Sequence, residues 1–419
     1  MRTPLRTLLL VLVPACLAAQ GAMTLPAYVE GTLVRNLDAL AQRFNVTSAE
    51  AQVAISRLFP DPQLTAGVSS RELYGPARPA SPTQATAGLA WTLETGGKRG
   101  ARVAVAEDGV LKARADLETF LGDLRLTAEN AFLDALRAGL VLDRKRKTLE
   151  GFREVVRLDD LRFKAGDIGG VELAQARVEA RRFEGEVFGA QADLAAAEAN
   201  LGQLLGDAGA EVRPAGGLER PTVALTAEEV LSRAFLNRVD LVAARRGLQL
   251  AESQKRLAHA NRWVDLGLAV AVNHTPPVNA SGLAAPMSNA LSFTLSIPLP
   301  FSRRQRGELV QADAARAQAR LEVQAMEQRT RADVAAALAQ YQAAAAQLST
   351  FREGILQDAD QVLDGLQFSY RRGAASLLEF INAQRTSDEV HLAYCDALAA
   401  HAKALAALDR LSGGHLVLD

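Results

Sequence analysis

Aromatic residues make up only 5% of this 419-residue chain, and it holds just two cysteines, Cys16 and Cys395. So few large rings argue against a globular core filled by bulky side chains. So few thiols exclude a disulfide-stapled scaffold. The histidines (His259, His274, His391, His401 and His415) have no Cys or carboxylate cluster at metal-ligand spacing. Charge of one sign is also missing: the formal net charge is -1, which leaves no basic surplus for nucleic acid. After the first residues, no apolar run is long enough to cross a bilayer as a helix. "GDIGG" at 166–170 follows a helix rather than a strand and lacks the lysine of a phosphate loop. The expectation is therefore no enzyme, no cofactor and no metal site.

What the chain does have is long stretches rich in Ala, Leu, Gln, Arg and Glu, which favour long, closely packed helices. Its N-terminus reads as an export signal over 1–19. Arg2 and Arg6 precede an apolar run from Leu8 to Val13, followed by the small residues Ala15, Ala18 and Ala19. Cys16 in "VPAC" leaves two outcomes open: acylation as the first mature residue, or loss with the signal. Pro14 sits badly in the acylation pattern and favours loss. Cys395 is then the sole thiol.

The remainder repeats one plan. Gly166, Glu172 and Ala176 recur 207 positions later as Gly373, Glu379 and Ala383, and Arg99-Gly100 recurs as Arg306-Gly307. With a slightly shorter offset, "NLDAL" near Asp38 matches "RVDLV" near Asp240. These matches divide the mature chain into a first repeat over 20–212, a linker rich in Gly and Pro over 213–225, and a second repeat over 226–419. Each repeat reads as a short helix, two strands and two long helices. The short helices span Leu33 to Leu58 and Ala227 to Ala260, and Thr226 with Glu229 forms a capping box for the second.

Apolar residues step by alternating fours and threes from Leu117 to Phe163, missing only at Lys145 and Asp159. The same seam runs from Val334 to Leu366, missing at Arg352. These are coiled-coil seams whose alanines permit close approach, and Ala101 to Phe163 alone spans on the order of 90 Å. The glycines of "KAGD" and "RRGA" supply the reversals, so each repeat ends in an antiparallel hairpin.

"QLTAGVSS", "TAGLAWTLE", "WVDLGLAVAVNH" and "NALSFTLSIPLP" alternate with period two. Leu291, Phe293, Leu295, Ile297 and Leu299 share one face, as do Val264, Leu266, Leu268, Val270 and Val272. Trp91 and Trp263 fall at strand positions and mark either a membrane interface or packing. Each strand has about 10 residues, enough to cross a membrane when tilted. Four strands are too few for a closed membrane barrel, which needs about eight. An open edge cannot sit in lipid, so a membrane reading requires several chains to share one barrel.

The signal, the duplicated halves, two strands per half and one long hairpin per half together resemble the TolC-type outer membrane factors. "FPDPQL", "LETGGKRGAR" and "SIPLPFSRRQRG" look most like the CzcC-like heavy-metal efflux branch. The resemblance covers the whole mature chain. It implies a mainly α protein with membrane β: coiled-coil hairpins forming a periplasmic tunnel, and four strands per protomer in a trimeric 12-stranded barrel.

By the same resemblance the chain is the outer-membrane exit duct of a tripartite efflux system. Its partners are two further copies, outer-membrane lipid, a periplasmic adaptor and an inner-membrane pump of RND type, which would supply any heavy-metal specificity. The docking tips become Lys164, Ala165, Gly166 and Asp167 with Arg371, Arg372, Gly373 and Ala374. Tyr370 matches a tyrosine that helps hold the closed state. Glu379 matches an acidic residue of the periplasmic aperture, with Glu172 in the equivalent place of the first hairpin. Three Glu379 carboxylates converging there would raise one another's pKa values. Asn382 stands where the family has a second Asp, and Ala375 where it has a tethering Arg, a role left to Arg371 or Arg372. Two alternatives stay open. A type I secretion duct shares the fold, and a periplasmic coiled-coil adaptor or scaffold is disfavoured because adaptors usually carry one hairpin.

Overall fold

The computed structural model describes residues 22–69, 84–280, 283–299 and 305–414. The signal segment and Cys16 lie outside the described residues. In chain order the elements begin with β1 (Met23–Thr24), α1 (Leu25–Arg35), α2 (Leu37–Ser56), β2 (Gln63–Ser69) and β3 (Gln84–Leu93). The first hairpin follows as α3 (Lys98–Ala165) and α4 (Gly170–Leu204). After β4 (Pro214–Ala215) come α5 (Ala227–Asn237), α6 (Val239–Ala260), β5 (Leu266–Thr275), β6 (Val278–Ala280), β7 (Leu283–Ala285) and β8 (Ser288–Ser296). The second hairpin is α7 (Arg306–Thr350), a π turn at Phe351–Ile355, α8 (Leu356–Arg371) and α9 (Leu377–Ser412). Among the described residues, no helix is long and apolar enough to cross a membrane.

Two compact units form, and each repeat contributes to both. The first gathers Met1–Leu40, Leu121–Leu236 and Arg331–Asp419; the second gathers Ala41–Phe120 and Asn237–Thr330.

In the second unit, β2-β3-β5-β8 form one antiparallel sheet. Its register places Leu64, Leu89, Val270 and Phe293 in one row and Trp91, Leu268 and Leu295 in another. That face is apolar and uncovered; Phe293 is 74% exposed and Leu291 59%. The opposite face carries Thr65, Gly88, Ala271 and Ser292 in register. A polar ladder crosses it: Thr86 Oγ1 donates to Asn273 Oδ1 at 2.8 Å and Asn273 Nδ2 to Ser292 Oγ at 3.2 Å. β2 and β8 are the edge strands, each paired on one side only within this sheet.

Strand limits differ from the sequence pattern. Val264 and Asp265 precede β5, because Asp265 accepts from Thr95 N (3.1 Å) and Lys98 Nζ (2.8 Å) and anchors the turn before α3. Ile297 and Leu299 lie beyond β8. Trp263 is not on a strand either. It packs against Gly96, where an added Cβ would come within 2.6 Å of Trp263 Cβ.

Each short helix read from the sequence is broken at one matched position. Asn36 ends α1, and its Oδ1 accepts from Asp38 N and Ala39 N at 3.0 and 3.1 Å, starting α2 as a cap does. Arg238 makes the equivalent break between α5 and α6. The Thr226–Glu229 capping box forms, with Glu229 N on Thr226 Oγ1 at 3.3 Å and Glu229 Oε2 accepting from Thr226 N at 3.3 Å. The linker packs rather than dangles: Pro214 pairs with Met23, and Leu218 is buried. The main core joins Tyr28, Phe132, Leu133, Leu201, Leu348 and Ala402.

Candidate functional site

Both hairpins reverse by the same device. Gly166 N bonds Phe163 O at 3.1 Å and Asp167 N bonds Arg162 O at 2.9 Å. Gly373 N bonds Tyr370 O at 3.0 Å and Ala374 N bonds Ser369 O at 2.8 Å, every partner shifted by the repeat offset. This pairing closes a helix on a left-handed residue, and the glycines have φ of 86° and 75°. Three residues after each glycine the chain starts again, capped at Gly169 and Ser376.

Below the turns, an aromatic chain ties the four helices together. Tyr370 stacks on Phe380 (5.7 Å), Phe380 meets Phe152 edge-on (6.0 Å), and Phe152 packs on Phe183 (4.7 Å). Tyr370, on α8, is buried and donates its hydroxyl to Asp159 Oδ1 of α3 at 2.6 Å. Asp159 has no exposed surface, and its Oδ2 has no hydrogen-bond partner. Burial raises its pKa above the ordinary carboxylate value, opposed by the Tyr370 bond and by Arg162. The Tyr370 hydroxyl is likewise pushed up, by burial and then by the Asp159 carboxylate.

Arg162 completes the latch. Its Nη2 donates to the carbonyls of Tyr370 (2.8 Å) and Arg371 (2.9 Å), two of the last acceptors at the C-terminal end of α8. Its guanidinium lies 5.2 Å over the Tyr370 ring, and positive charge suits a helix C-terminus. Asp159 and Arg162 escape a motif reading. The signal for Asp159 was in plain view, because it is one of two breaks in the α3 heptads.

The other sequence-marked residues divide. Lys164 is exposed and pairs with Asp160 at 2.6 Å, a bond that holds Asp160 below its ordinary pKa. Ala165, Gly166, Asp167, Gly373 and Ala374 are exposed at the turns. Arg371 does join the hairpins, reaching Glu154 of α3 at 2.9 Å. Arg372 does not; its guanidinium lies 4.3 Å over Phe368. Ala375 packs against the core beneath.

Glu172 and Glu379 each sit in the first turn of a restarting helix. Glu379 is exposed and closes a capping box, its Oε2 accepting from Ser376 N at 2.7 Å and Ser376 Oγ at 2.9 Å. Those bonds lower its pKa. Within one chain the direction is thus opposite to the rise expected of converging carboxylates, which needs the other copies' charges. Asn382 lies exposed one turn further along α9. Among the described residues, no group of His, Cys, Asp or Glu is arranged to hold a metal ion.

An open four-stranded sheet, apolar on its uncovered face, and two long hairpins ending in matched turns make the fold of the outer membrane efflux channels. The outer membrane efflux protein family model matches residues 29–207 and 230–414, and the chain belongs to that family. It is 25% identical over 399 residues to the cobalt-zinc-cadmium resistance protein CzcC of Cupriavidus metallidurans, covering 94% of this chain and 91% of that one. Crystal structures of CusC match with a TM-score of 0.76 at 20% identity, covering 93% and 92% of the two chains. The open state of the Neisseria gonorrhoeae MtrE outer membrane channel gives 0.74 at 20% identity, covering 94% and 90%.

Proposed function

We propose that three copies of this chain share one 12-stranded barrel in the outer membrane and continue as a helical tunnel into the periplasm. Through it an inner-membrane pump, coupled by a periplasmic adaptor, expels its solute. The observation that carries this reading is the sheet: four strands, two free edges and an apolar face, stable in lipid only when other copies complete the ring. Heavy-metal cations are the substrate class supported by the likeness to a cobalt-zinc-cadmium resistance protein. An RND-type pump is the partner proposed with it.

In this reading Gly166 and Gly373, with their flanking tip residues, meet the adaptor. Glu379, Asn382 and Glu172 line the periplasmic aperture, and the Tyr370–Asp159–Arg162 latch keeps it closed. Replacing both glycines with leucine forces a side chain into left-handed backbone, a strain of about 1–2 kcal/mol at each turn, and enlarges the tip. Cells carrying Gly166→Leu/Gly373→Leu with their pump and adaptor should lose cation resistance while the protein still reaches the outer membrane. Normal resistance, or failure to insert, overturns the docking role.

A further inference from the structure

The apolar seam of the second hairpin changes place at the π turn. Before it, Val334, Leu338, Tyr341 and Leu348 are buried at heptad spacing. Continued along an unbroken α-helix, that spacing falls on Arg352, Ile355, Ala359, Val362, Leu366 and Ser369. α8 turns a different stripe inward: Leu356, Asp360, Leu363, Gln367 and Tyr370, each one residue later. Leu363 packs on the core beside Tyr370 and Phe380, and Asp360 reaches His391 of α9 at 2.8 Å. Val362 and Ile355 are left outside, 55% and 39% exposed.

The shift has a local cause. Leu356 N bonds Phe351 O, five residues back, so the π turn takes up one residue more than an α turn. One residue turns a helix by about 100°. The turn passes through Gly354, whose φ of 157° and ψ of -30° are not helical. It brings Tyr370, rather than Ser369, to Asp159. It also sends Arg352 to the surface, 3.7 Å from Glu219 of the linker, instead of into the seam. The equivalent stretch of α3, 207 positions earlier, is unbroken α-helix, so a hairpin of this design does not require the turn.

Two stripes on one helix are two ways to pack it. The stripe now inward has two polar members, Asp360 and Gln367. The stripe beside it after the turn, Ile355, Ala359, Val362 and Leu366, is wholly apolar, and Arg352 alone weighs against it.

We propose that α8 is a two-register switch. Opening dissolves the π turn, α7 and α8 run on as one α-helix, and α8 rotates by about 100° to place Ile355, Ala359, Val362 and Leu366 in the seam. That rotation carries Tyr370 away from Asp159 and Arg162, so the π turn and the latch release together. The switch rests on the reading that the latch keeps the aperture closed.

Conductance of the full-length protein in planar bilayers, with thiol labelling, tests the switch. Gly354→Ala favours the unbroken helix; an added Cβ meets nothing closer than Asp358 Oδ2 at 3.9 Å, so the backbone preference is what changes. Closed-channel conductance should rise by roughly fivefold. Val362→Glu spares the present packing, where Val362 is exposed, and puts a charge into the other seam. Added to Gly354→Ala, it should restore the wild-type conductance. In a Cys395→Ser background, a small thiol reagent should label Val362→Cys faster than Leu363→Cys, and Gly354→Ala should reverse that order. An order and conductance both unchanged by Gly354→Ala overturn the switch, while the latch reading still stands or falls on Tyr370→Phe. A Gly354→Ala/Val362→Glu variant as leaky as Gly354→Ala overturns it too. A reversed order with wild-type conductance in both Gly354→Ala and Tyr370→Phe overturns the gating role together with the latch reading.

Discussion

Val270→Arg should abolish outer-membrane insertion, whereas Ser292→Lys should leave it intact. Val270 and Ser292 lie midway along the neighbouring strands β5 and β8 of the same sheet, so the comparison isolates the face. Val270 stands in the row of Leu64, Leu89 and Phe293, the apolar surface turned to lipid in this account. An arginine there costs about 2–4 kcal/mol near the bilayer midplane. Repeated in three copies, the penalty is comparable to the whole stability of a typical domain, about 5–15 kcal/mol. Ser292 shares the other face with Thr65, Gly88 and Ala271, where a water-filled lumen accepts a charge. Fractionation and heat-dependent gel mobility read the result. Equal insertion of both variants would mean that the apolar face does not meet lipid.

Tyr370→Phe should produce the largest change in gating. The ring, and with it the stack on Phe380, is kept, but Asp159 Oδ1 loses its 2.6 Å donor while Oδ2 already has none. Leaving a buried acceptor unmet costs about 1–3 kcal/mol, and more for a charged one. Closed-channel conductance should therefore rise by roughly tenfold. The pH dependence has a definite sign. The folded pKa of Asp159 is raised, so its stabilising contribution is complete below the ordinary carboxylate pKa and is lost as pH rises through the folded value. Acidification should tighten the wild-type latch. The effect should be larger in Tyr370→Phe, which lacks the bond that pulls the pKa down. Conductance that is insensitive to both the substitution and acid would remove the latch from gating.

Periodicity carried most of the fold, and its failures proved as informative as its matches. The alternation of β3, β5 and β8 gave the sheet face directly, because residues two apart must share it. The two tip glycines followed from a fixed offset and the left-handed turn it repeats. The helix breaks at Asn36 and Arg238 were hidden because apolar spacing continues through them, although "NLDAL" and "RVDLV" already marked the place. Of the heptad interruptions, Lys145 is an ordinary pair with Glu186 at 2.9 Å between α3 and α4. Asp159 is the buried centre of the latch, and Arg352 falls inside the π turn where Gly354 leaves helical geometry. A missed heptad cannot say which of these it is, since that depends on a partner some 211 residues away. Glu379 shows the converse limit: Ser376-x-x-Glu379 is a legible capping box, whereas an aperture role rests on the family resemblance and on charges that other copies would bring.

The mass of the detergent-solubilised protein, measured together with its strand content, tests the central claim most directly. Three chains per particle, with the sheet retained and the trimer lost only on heating, is the predicted result. A monomer that keeps its strands would contradict the shared barrel.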